Sequence, residues 1–210
     1  MRRGGGPAPP ASFPEFLAHS RASGLPPSIL LCILLWLALS AYWSWAARSK
    51  SEARSSEGVL SRQFHMLLVS AAQLLVFLPV PGLRMRILPD APWGGIVGVG
   101  LCLAGLAFSV AARRALGRNW SGEVTTKVGH TLVTGGPYAL VRHPIYTGVF
   151  GLYIGTAVAS GELHALVGVV LAAIAYARKV PMEEKVLAAE FGDAWTDYRA
   201  RTKAIIPFAF

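Results

Sequence analysis

Charged side chains are scarce in this sequence, and acidic ones especially so. Only 15% of the 210 residues are charged, and 20 Lys and Arg outnumber 11 Asp and Glu. A soluble globular domain usually has charge on about a quarter of its residues, so this composition argues against that class. Hydrophobic residues make up 53% of the chain and the mean hydropathy is +0.47. The composition therefore indicates an integral membrane protein.

Cysteine is nearly absent, and metal-ligand spacing is absent altogether. The two cysteines, Cys32 and Cys102, each lie inside an apolar run. That position favours small buried side chains over a disulfide. No group of His, Cys, Asp and Glu has the spacing of metal ligands, so the sequence predicts no metal site.

Long apolar stretches dominate what is present. The first and third are about 20 residues long, enough to cross a bilayer core of about 30 Å. The others are shorter, so four spans are the alternative to five. The sequence predicts an all-α integral membrane protein with about five transmembrane helices. The stretches are residues 28–47, 64–80, 93–112, 145–161 and 163–177.

The excess of positive charge is unevenly distributed between these stretches. Of the 20 Lys and Arg residues, 15 fall in segments 48–62, 113–143 and 178–210. The positive-inside rule makes these segments and the C-terminus cytosolic. Contacts with anionic membrane lipids explain the net charge of +9 without a nucleic acid partner. We expect an integral protein of a bacterial inner membrane; the sequence does not indicate an oligomeric state.

A polar tract interrupts the apolar pattern at residues 129–146. It contains two histidines, an arginine, two tyrosines, two prolines and a Gly-Gly pair. Polar and turn-forming residues at a membrane edge are typical of a ligand site. Residues 160–162 then join the fourth and fifth stretches so tightly that these form an antiparallel hairpin. The hairpin returns the chain to the membrane face that it left, so segments 113–144 and 178–210 meet there.

The C-terminal tail is the second polar region. Pro181 either kinks the last spanning helix or begins a new one, and Gly192 indicates a helix end. Trp195 and Tyr198 favour a tail helix on the membrane surface. We expect a disordered tail (1–27), a three-helix transmembrane region (28–112) and a C-terminal region (113–210) with the hairpin and an interfacial tail helix. The resemblance described below implies that residues 113–210 are the catalytic region and form a cytosolic cofactor pocket.

Taken singly, the polar residues allow a structural explanation as well as a functional one. His143 serves equally as a helix-start residue or a ligand contact, whereas His65 and His164, at span ends, are expected to be structural. Arg142 contacts lipid headgroups or clamps a carboxylate or phosphate. Glu183 and Glu184 resemble an ordinary solvated pair of carboxylates, but their position opposite the polar tract of residues 129–146 favours a functional role.

Taken together, the motifs resemble those of the isoprenylcysteine carboxyl methyltransferase family and its bacterial relatives. The resemblance covers about residues 119–210 and depends on the order of the motifs, since each alone is weak. The motifs are His130-Thr131-Leu132-Val133, Pro137-Tyr138, Arg142-His143-Pro144-Ile145-Tyr146, Glu183-Glu184 and Phe191-Gly192 followed by Tyr198.

The resemblance implies an S-adenosylmethionine-dependent methyltransferase with its donor bound between the tract and the helix after the hairpin. The implied acceptor is a lipophilic small molecule or lipid-linked group, such as a prenylcysteine-like carboxylate, that enters from the bilayer. Arg142 and Lys179 are the implied catalytic residues. The implied cofactor contacts are Glu123, His130, Thr131, Leu132, Val133, Tyr138, His143, Pro144, Ile145, Tyr146, Glu183 and Glu184.

Two other functions compete with this one. Sterol reductases that use NADPH also have an Arg-His-Pro motif and a Gly-x-Trp-x-x-Tyr sequence, which residues 192–198 resemble. This chain lacks the additional spans of those enzymes. A non-enzymatic membrane scaffold is the third possibility, and it leaves the polar tract unexplained.

Overall fold

A bundle of long helices forms the molecule. The computed structural model describes residues 25–47, 58–117 and 131–206, and the backbone of two short strands that pair antiparallel, β1 (Arg54–Ser55) and β2 (Thr125–Thr126). The predicted N-terminal tail lies almost wholly outside these residues. The helices are α1 (Pro27–Ala46), α2 (Val59–Phe77), α3 (Pro92–Leu116), a 3-10 helix (Gly136–Ala139), α4 (Pro144–Ser160), α5 (Leu163–Phe191) and α6 (Asp193–Arg201).

The all-helical prediction is confirmed, with differences at the helix ends. Among the described residues, four helices are long and apolar enough to cross a membrane: α1, α2, α3 and α5. Helix α4 has 17 residues, the lower end of the length that spans. Helix α5 continues to Phe191 although Pro181 lies inside it. Proline removes one helical hydrogen bond, and here the residues on both sides of it are held by side-chain contacts described below.

Close backbone packing joins α3 to α4. A Cβ atom added to Gly98 would lie 2.5 Å from the carbonyl oxygen of Gly155 and 2.7 Å from Cβ of Ala159. Glycine at this position lets the two helices approach within backbone contact, as small residues commonly do in membranes. Gly98 therefore lies on the packing face of α3, whereas Gly100 is exposed and has nothing within 4 Å of such a Cβ.

The centre of the bundle also contains a few polar contacts. The indole Nε1 of Trp36 donates to Oγ1 of Thr156 at 3.1 Å. The Sγ atoms of Cys32 and Cys102 lie 3.6 Å apart, and both are free thiols with fully buried side chains. These contacts link α1, α3 and α4 through groups that would otherwise be buried without partners.

The short connection between α4 and α5 forms the end of the bundle opposite the polar tract. Gly161 ends α4 with φ of +66° and accepts a hydrogen bond from the amide of Ile87 at 2.8 Å. His164 is buried there, with Nδ1 2.7 Å from the carbonyl oxygen of Leu75 and Nε2 3.1 Å from Oε2 of Glu162. The hairpin is confirmed, and its geometry brings the polar tract and the end of α5 to the same end of the molecule.

Candidate active site

The Arg-His-Pro segment is held by the C-terminal tail. Pro144 is the first residue of α4, where its missing N–H costs nothing and its fixed φ suits a helix start. Just before it, the amide of Arg142 donates to the carbonyl of Lys203 at 2.8 Å, and that of His143 donates to Ala204 at 2.9 Å. The tail therefore fixes the backbone on which the two functional side chains stand.

Glu184 lies at the centre of a cluster of charges. Its Oε1 is 2.9 Å from Nε of Arg142 and 3.3 Å from Nε2 of His143, and its Oε2 is 3.6 Å from Nε of Arg199. Arg142 also donates through Nη1 to the carbonyl oxygens of Arg199 and Thr202. The side chains of Arg142 and Glu184 are each only 10% exposed, so this is a buried and well-satisfied ion pair.

Glu183 faces the opposite side of the same imidazole. Its Oε1 accepts a hydrogen bond of 2.5 Å from the hydroxyl of Tyr146, and its Oε2 is 3.5 Å from Nδ1 of His143. Both nitrogens of His143 thus face carboxylates. Burial lowers the pKa of His143, but hydrogen bonds and charge attraction from Glu183 and Glu184 outweigh it and raise the pKa above its ordinary value. This geometry favours the imidazolium form.

Aromatic rings enclose the Glu183 side of the cluster. The ring of Tyr146 stacks on His143 with centroids 5.5 Å apart and an interplanar angle of 3°. It also contacts the ring of Tyr176 at 4.6 Å. Parallel stacking on a protonated imidazole resembles a cation–π contact and fixes the tyrosine hydroxyl toward Glu183.

Tyr138 connects the 3-10 helix to the tail helix α6. Its carbonyl accepts a hydrogen bond of 2.7 Å from the hydroxyl of Tyr198, and both side chains are buried. Burial raises the pKa of both phenols, that of Tyr198 to about 12. Trp195 is buried as well. The two rings from which the surface position of the tail helix was predicted therefore pack inward, where Tyr198 holds the polar tract.

Lys179 lies on the same face of α5 as Glu183, one helical turn earlier. Its side chain is buried, and its positive charge acts on Glu183. Residues four apart on a helix are neighbours on its surface, so the pair is in favourable register. A buried lysine whose charge acts on Glu183 gives the site a second cation besides Arg142.

The structure brings the two predicted walls of the site together. Arg142, His143 and Tyr146 from the α4 start contact Glu183 and Glu184 from α5. Pro144 is buried, and Ile145 accepts a hydrogen bond from Ser109 through its carbonyl at 3.2 Å. The remaining predicted contacts lie in the segment before the 3-10 helix: Thr131 is exposed and Leu132 and Val133 are half-buried, while Glu123 and His130 lie outside the described residues.

Two contributors were missed by sequence reasoning. Arg199 pairs with Glu184 and supplies one of the carbonyls that accept from Arg142, and Tyr176 completes the aromatic enclosure. Tyr176 lies seven residues before Glu183, a spacing that places both on one helix face, so a helical reading through Pro181 would have found it. No sequence pattern indicates which backbone carbonyls of the tail accept hydrogen bonds from Arg142.

Comparison with known proteins agrees with this architecture. Residues 93–194 match the family model described as phospholipid methyltransferase. The protein-S-isoprenylcysteine O-methyltransferase of Xenopus laevis is 32% identical over 124 residues, which are 58% of this chain and 43% of that protein. The Schizosaccharomyces pombe protein of that name is 36% identical over 111 residues, 51% of this chain and 46% of its own length.

A solved structure shares the fold. The eukaryotic intramembrane Ras methyltransferase, described as isoprenylcysteine carboxyl methyltransferase, superposes with a TM-score of 0.57 and 25% identity over 70% of this chain and 53% of that one. This chain spans less than half the length of the two curated relatives above. Sequence matches, helical architecture and superposition agree, and the chain is similar to members of the isoprenylcysteine carboxyl methyltransferase family.

Proposed function

We propose that this chain is an integral membrane methyltransferase that uses S-adenosylmethionine and acts on a lipophilic acceptor bearing a carboxylate. The observation that carries the proposal is the setting of Glu183, a partly exposed carboxylate oriented by the hydroxyl of Tyr146 and facing His143. The similarity to proteins named as methyltransferases supports the reaction class, and the apolar helices support a substrate that arrives through the bilayer.

The chemistry of S-adenosylmethionine suits these residues. It has a sulfonium and an ammonium cation, ribose hydroxyls and a carboxylate. Glu183 would hold the ammonium or the ribose hydroxyls, since each carboxylate oxygen accepts more than one hydrogen bond. The ring of Tyr146 suits a cation, and backbone amides at Gly135 and Gly136 would receive the carboxylate. The other predicted cofactor contacts stay predictions.

Methyl transfer to a carboxylate needs no proton transfer from the protein. An acceptor oxygen attacks the sulfonium methyl carbon of S-adenosylmethionine, the carbon–sulfur bond breaks with its electron pair moving to sulfur, and a methyl ester and S-adenosylhomocysteine result. The chain's contribution is to align the two reactants and exclude water. A general base is therefore not required of the described residues.

The two predicted catalytic cations have different tasks in this proposal. Arg142 is committed to Glu184 and two backbone carbonyls, so it positions Glu184 and His143. Lys179 is buried, and its positive charge acts on Glu183. We assign to Lys179 the orientation of the acceptor carboxylate, which a compact ammonium does as a point charge.

Ligand binding by the purified full-length chain in detergent tests the proposal. Calorimetry is expected to show binding of S-adenosylmethionine and S-adenosylhomocysteine and none of NADPH. Incubation of methyl-labelled donor with N-acetyl-S-farnesylcysteine is expected to yield a labelled, base-labile ester. Affinity for NADPH without affinity for either sulfur compound would overturn the proposal in favour of a reductase. Failure of the chain to bind any of the three ligands would favour a non-enzymatic scaffold.

A further inference from the structure

A cleft of about 1120 Å³ lies at the end of the bundle opposite the candidate active site. Its walls are the start of α1, the end of α2, the loop that joins α2 to α3, the first half of α3 and the end of α4. The volume exceeds that of most small-molecule pockets, which measure about 300–1,000 Å³. This α1–α3 cleft therefore has room for a ligand larger than an ordinary metabolite.

The α1–α3 cleft is about as deep as one leaflet of a bilayer. Its lining residues on α3 run from Pro92, the first residue of the helix, to Leu103. An α-helix rises about 17 Å over that distance, and the hydrocarbon core of a bilayer is about 30 Å thick. A ligand that fills the cleft therefore extends from the membrane surface to near the bilayer centre, as an acyl chain does.

Apolar side chains that are open to the bilayer form much of the cleft wall. Leu31 of α1 and Ile96 and Leu103 of α3 line it and are 49%, 73% and 51% exposed. Phe77 lines it as well, and its ring contacts that of Trp36 edge-on with centroids 6.4 Å apart. The exposed part of such a surface contacts hydrocarbon in a membrane. The cleft therefore suits a lipid chain rather than a soluble metabolite.

Gly100 leaves space inside the cleft. It lines the cleft, it is exposed, and nothing lies within 4 Å of a Cβ atom added there. At Gly95, by contrast, an added Cβ would lie 3.0 Å from Cβ of Ser28 on α1. Helices α1 and α3 are thus in contact at Gly95, whereas Gly100 lies beside an open groove.

One arginine that lines the cleft has no acidic partner among the described residues. Nη2 of Arg86 lies 3.3 Å from Oδ1 of Asp90, and Nε2 of His164 lies 3.1 Å from Oε2 of Glu162. Arg84 lines the same cleft, and no carboxylate in the described ranges pairs with it. A guanidinium matches the geometry of phosphate oxygens through its planar N–H groups. The cleft thus combines a cation that is available to a phosphate with a surface that suits an acyl chain.

We propose that the α1–α3 cleft binds one glycerophospholipid of the leaflet opposite the candidate active site. Arg84 holds the phosphodiester, and an acyl chain lies in the groove beside Ile96, Gly100 and Leu103. The loop between two spans lies at the level of the headgroups, where arginine attracts anionic lipid groups. The length of the bundle separates this lipid from Glu183, so it is a bound ligand distinct from the methyl acceptor, and its binding does not depend on the proposed function.

Native mass spectrometry of the full-length chain in detergent tests the phosphate contact and the chain contact separately. Phosphatidylglycerol and a diacylglycerol with the same acyl chains differ by the headgroup that contains the phosphate. Wild type is expected to bind the phospholipid about tenfold more tightly, the effect of one hydrogen bond to a charged group. Arg84→Gln is expected to bind the two lipids equally. Gly100→Phe fills the groove and is expected to weaken both about tenfold, the effect of displacing two methylene groups, while their ratio remains.

Matched changes elsewhere on α3 serve as controls. Arg114→Gln removes an exposed arginine at the other end of the helix, and Ala107→Phe adds the same ring at an exposed position outside the cleft. Both variants are expected to bind the two lipids like wild type. The Kd for S-adenosylmethionine is expected to be unchanged in all four variants, so the lipid site and the proposed function fail or succeed separately.

Three results with wild type would overturn the proposal whether or not any variant folds. Equal affinity for the two lipids would remove the phosphate contact. Displacement of the lipid by glycerol 3-phosphate, which has the phosphate without the chains, would indicate a site for a soluble anion. Failure to bind either lipid would mean that another segment of the chain or a second copy fills the cleft. A preference for the phospholipid that survives in Arg84→Gln would also contradict the assignment.

Discussion

The guanidinium Nε of Arg142 lies 2.9 Å from the carboxylate Oε1 of Glu184 and joins segments 42 residues apart in sequence. The pair connects the start of α4 with the last third of α5, and through the carbonyls of Arg199 and Thr202 it also fixes the tail. One ion pair thereby holds three segments in the arrangement that the site requires.

Loss of Arg142 is expected to destabilise the protein strongly. Arg142→Ala leaves Glu184 buried beside His143, and breaking a buried pair costs about 3 kcal/mol. Arg142→Lys restores little, because lysine lacks the planar fork that reaches three acceptors. Arg199→Ala is the control: its side chain is 63% exposed, so we expect about 0.5 kcal/mol or less. Unfolding in detergent measures both, and equal losses would contradict the assignment.

Glu183→Gln is expected to weaken S-adenosylmethionine binding about tenfold or more. The amide retains the size and one acceptor but loses the charge, and tenfold corresponds to about 1.4 kcal/mol. Glu190→Gln makes the same change at an exposed position on the same helix and is expected to bind like wild type. Calorimetric titration compares the two, and an unchanged Kd in Glu183→Gln would remove this residue from the donor site.

Lys179→Met is expected to raise the acceptor KM with little change in donor affinity. Methionine fills a similar apolar volume but removes the charge that orients the acceptor carboxylate, so we expect at least a tenfold loss in kcat/KM, or about 1.4 kcal/mol. Lys185→Met alters an exposed lysine two turns later and serves as the control. Steady-state kinetics with both substrates varied decides the point; a selective rise in the donor KM would contradict the proposed role.

Stability is expected to depend on pH through His143. Its pKa in the folded protein is raised above 6.5, so its contribution is complete below about pH 6.5 and is lost as pH rises through the folded pKa. The groups that face it are Glu183, Glu184 and the ring of Tyr146. The melting temperature should therefore fall on the alkaline side, and this component should vanish in His143→Gln. A fall in melting temperature on the alkaline side that persists in His143→Gln would arise from another group.

Substitution of Gly98 is expected to separate α3 from α4. In Gly98→Ala the new methyl group meets the Gly155 carbonyl and Ala159, which forces the helices apart at a cost of about 1–3 kcal/mol. Gly100→Ala adds the same atom to the same helix where nothing lies within 4 Å. We expect it to be neutral or slightly stabilising, since alanine favours helix. The comparison is made by thermal unfolding in the same detergent.

The sequence predicted the helices and the two walls of the site because both depend on local patterns. Apolar runs define α1 to α5, and the tight turn at Gly161 determines that α4 and α5 return the chain to one end. It left open whether α5 continues through Pro181 or a new helix begins there, since proline normally argues for a break, and the helix continues. It did not predict that Trp195 and Tyr198 pack inward, because a short helix with two aromatic rings has the same sequence pattern whether these rings contact lipid or protein.

The sequence could not predict the tertiary contacts of Arg142. The acceptors of Arg142 include two backbone carbonyls, and every residue has a carbonyl, so no pattern marks these two.

In the proposed function, the length of α5 determines the depth of the site in the membrane. A helix that starts at one edge of a hydrocarbon layer about 30 Å thick reaches the other edge after about 20 residues. Counted from Leu163, the first residue of α5, that edge falls at about Glu183. The Glu183 carboxylate is then level with the boundary between the hydrocarbon layer and water. At that depth a nucleotide-like donor in the aqueous phase and an acceptor with its tail in the lipid can meet without either leaving its own solvent.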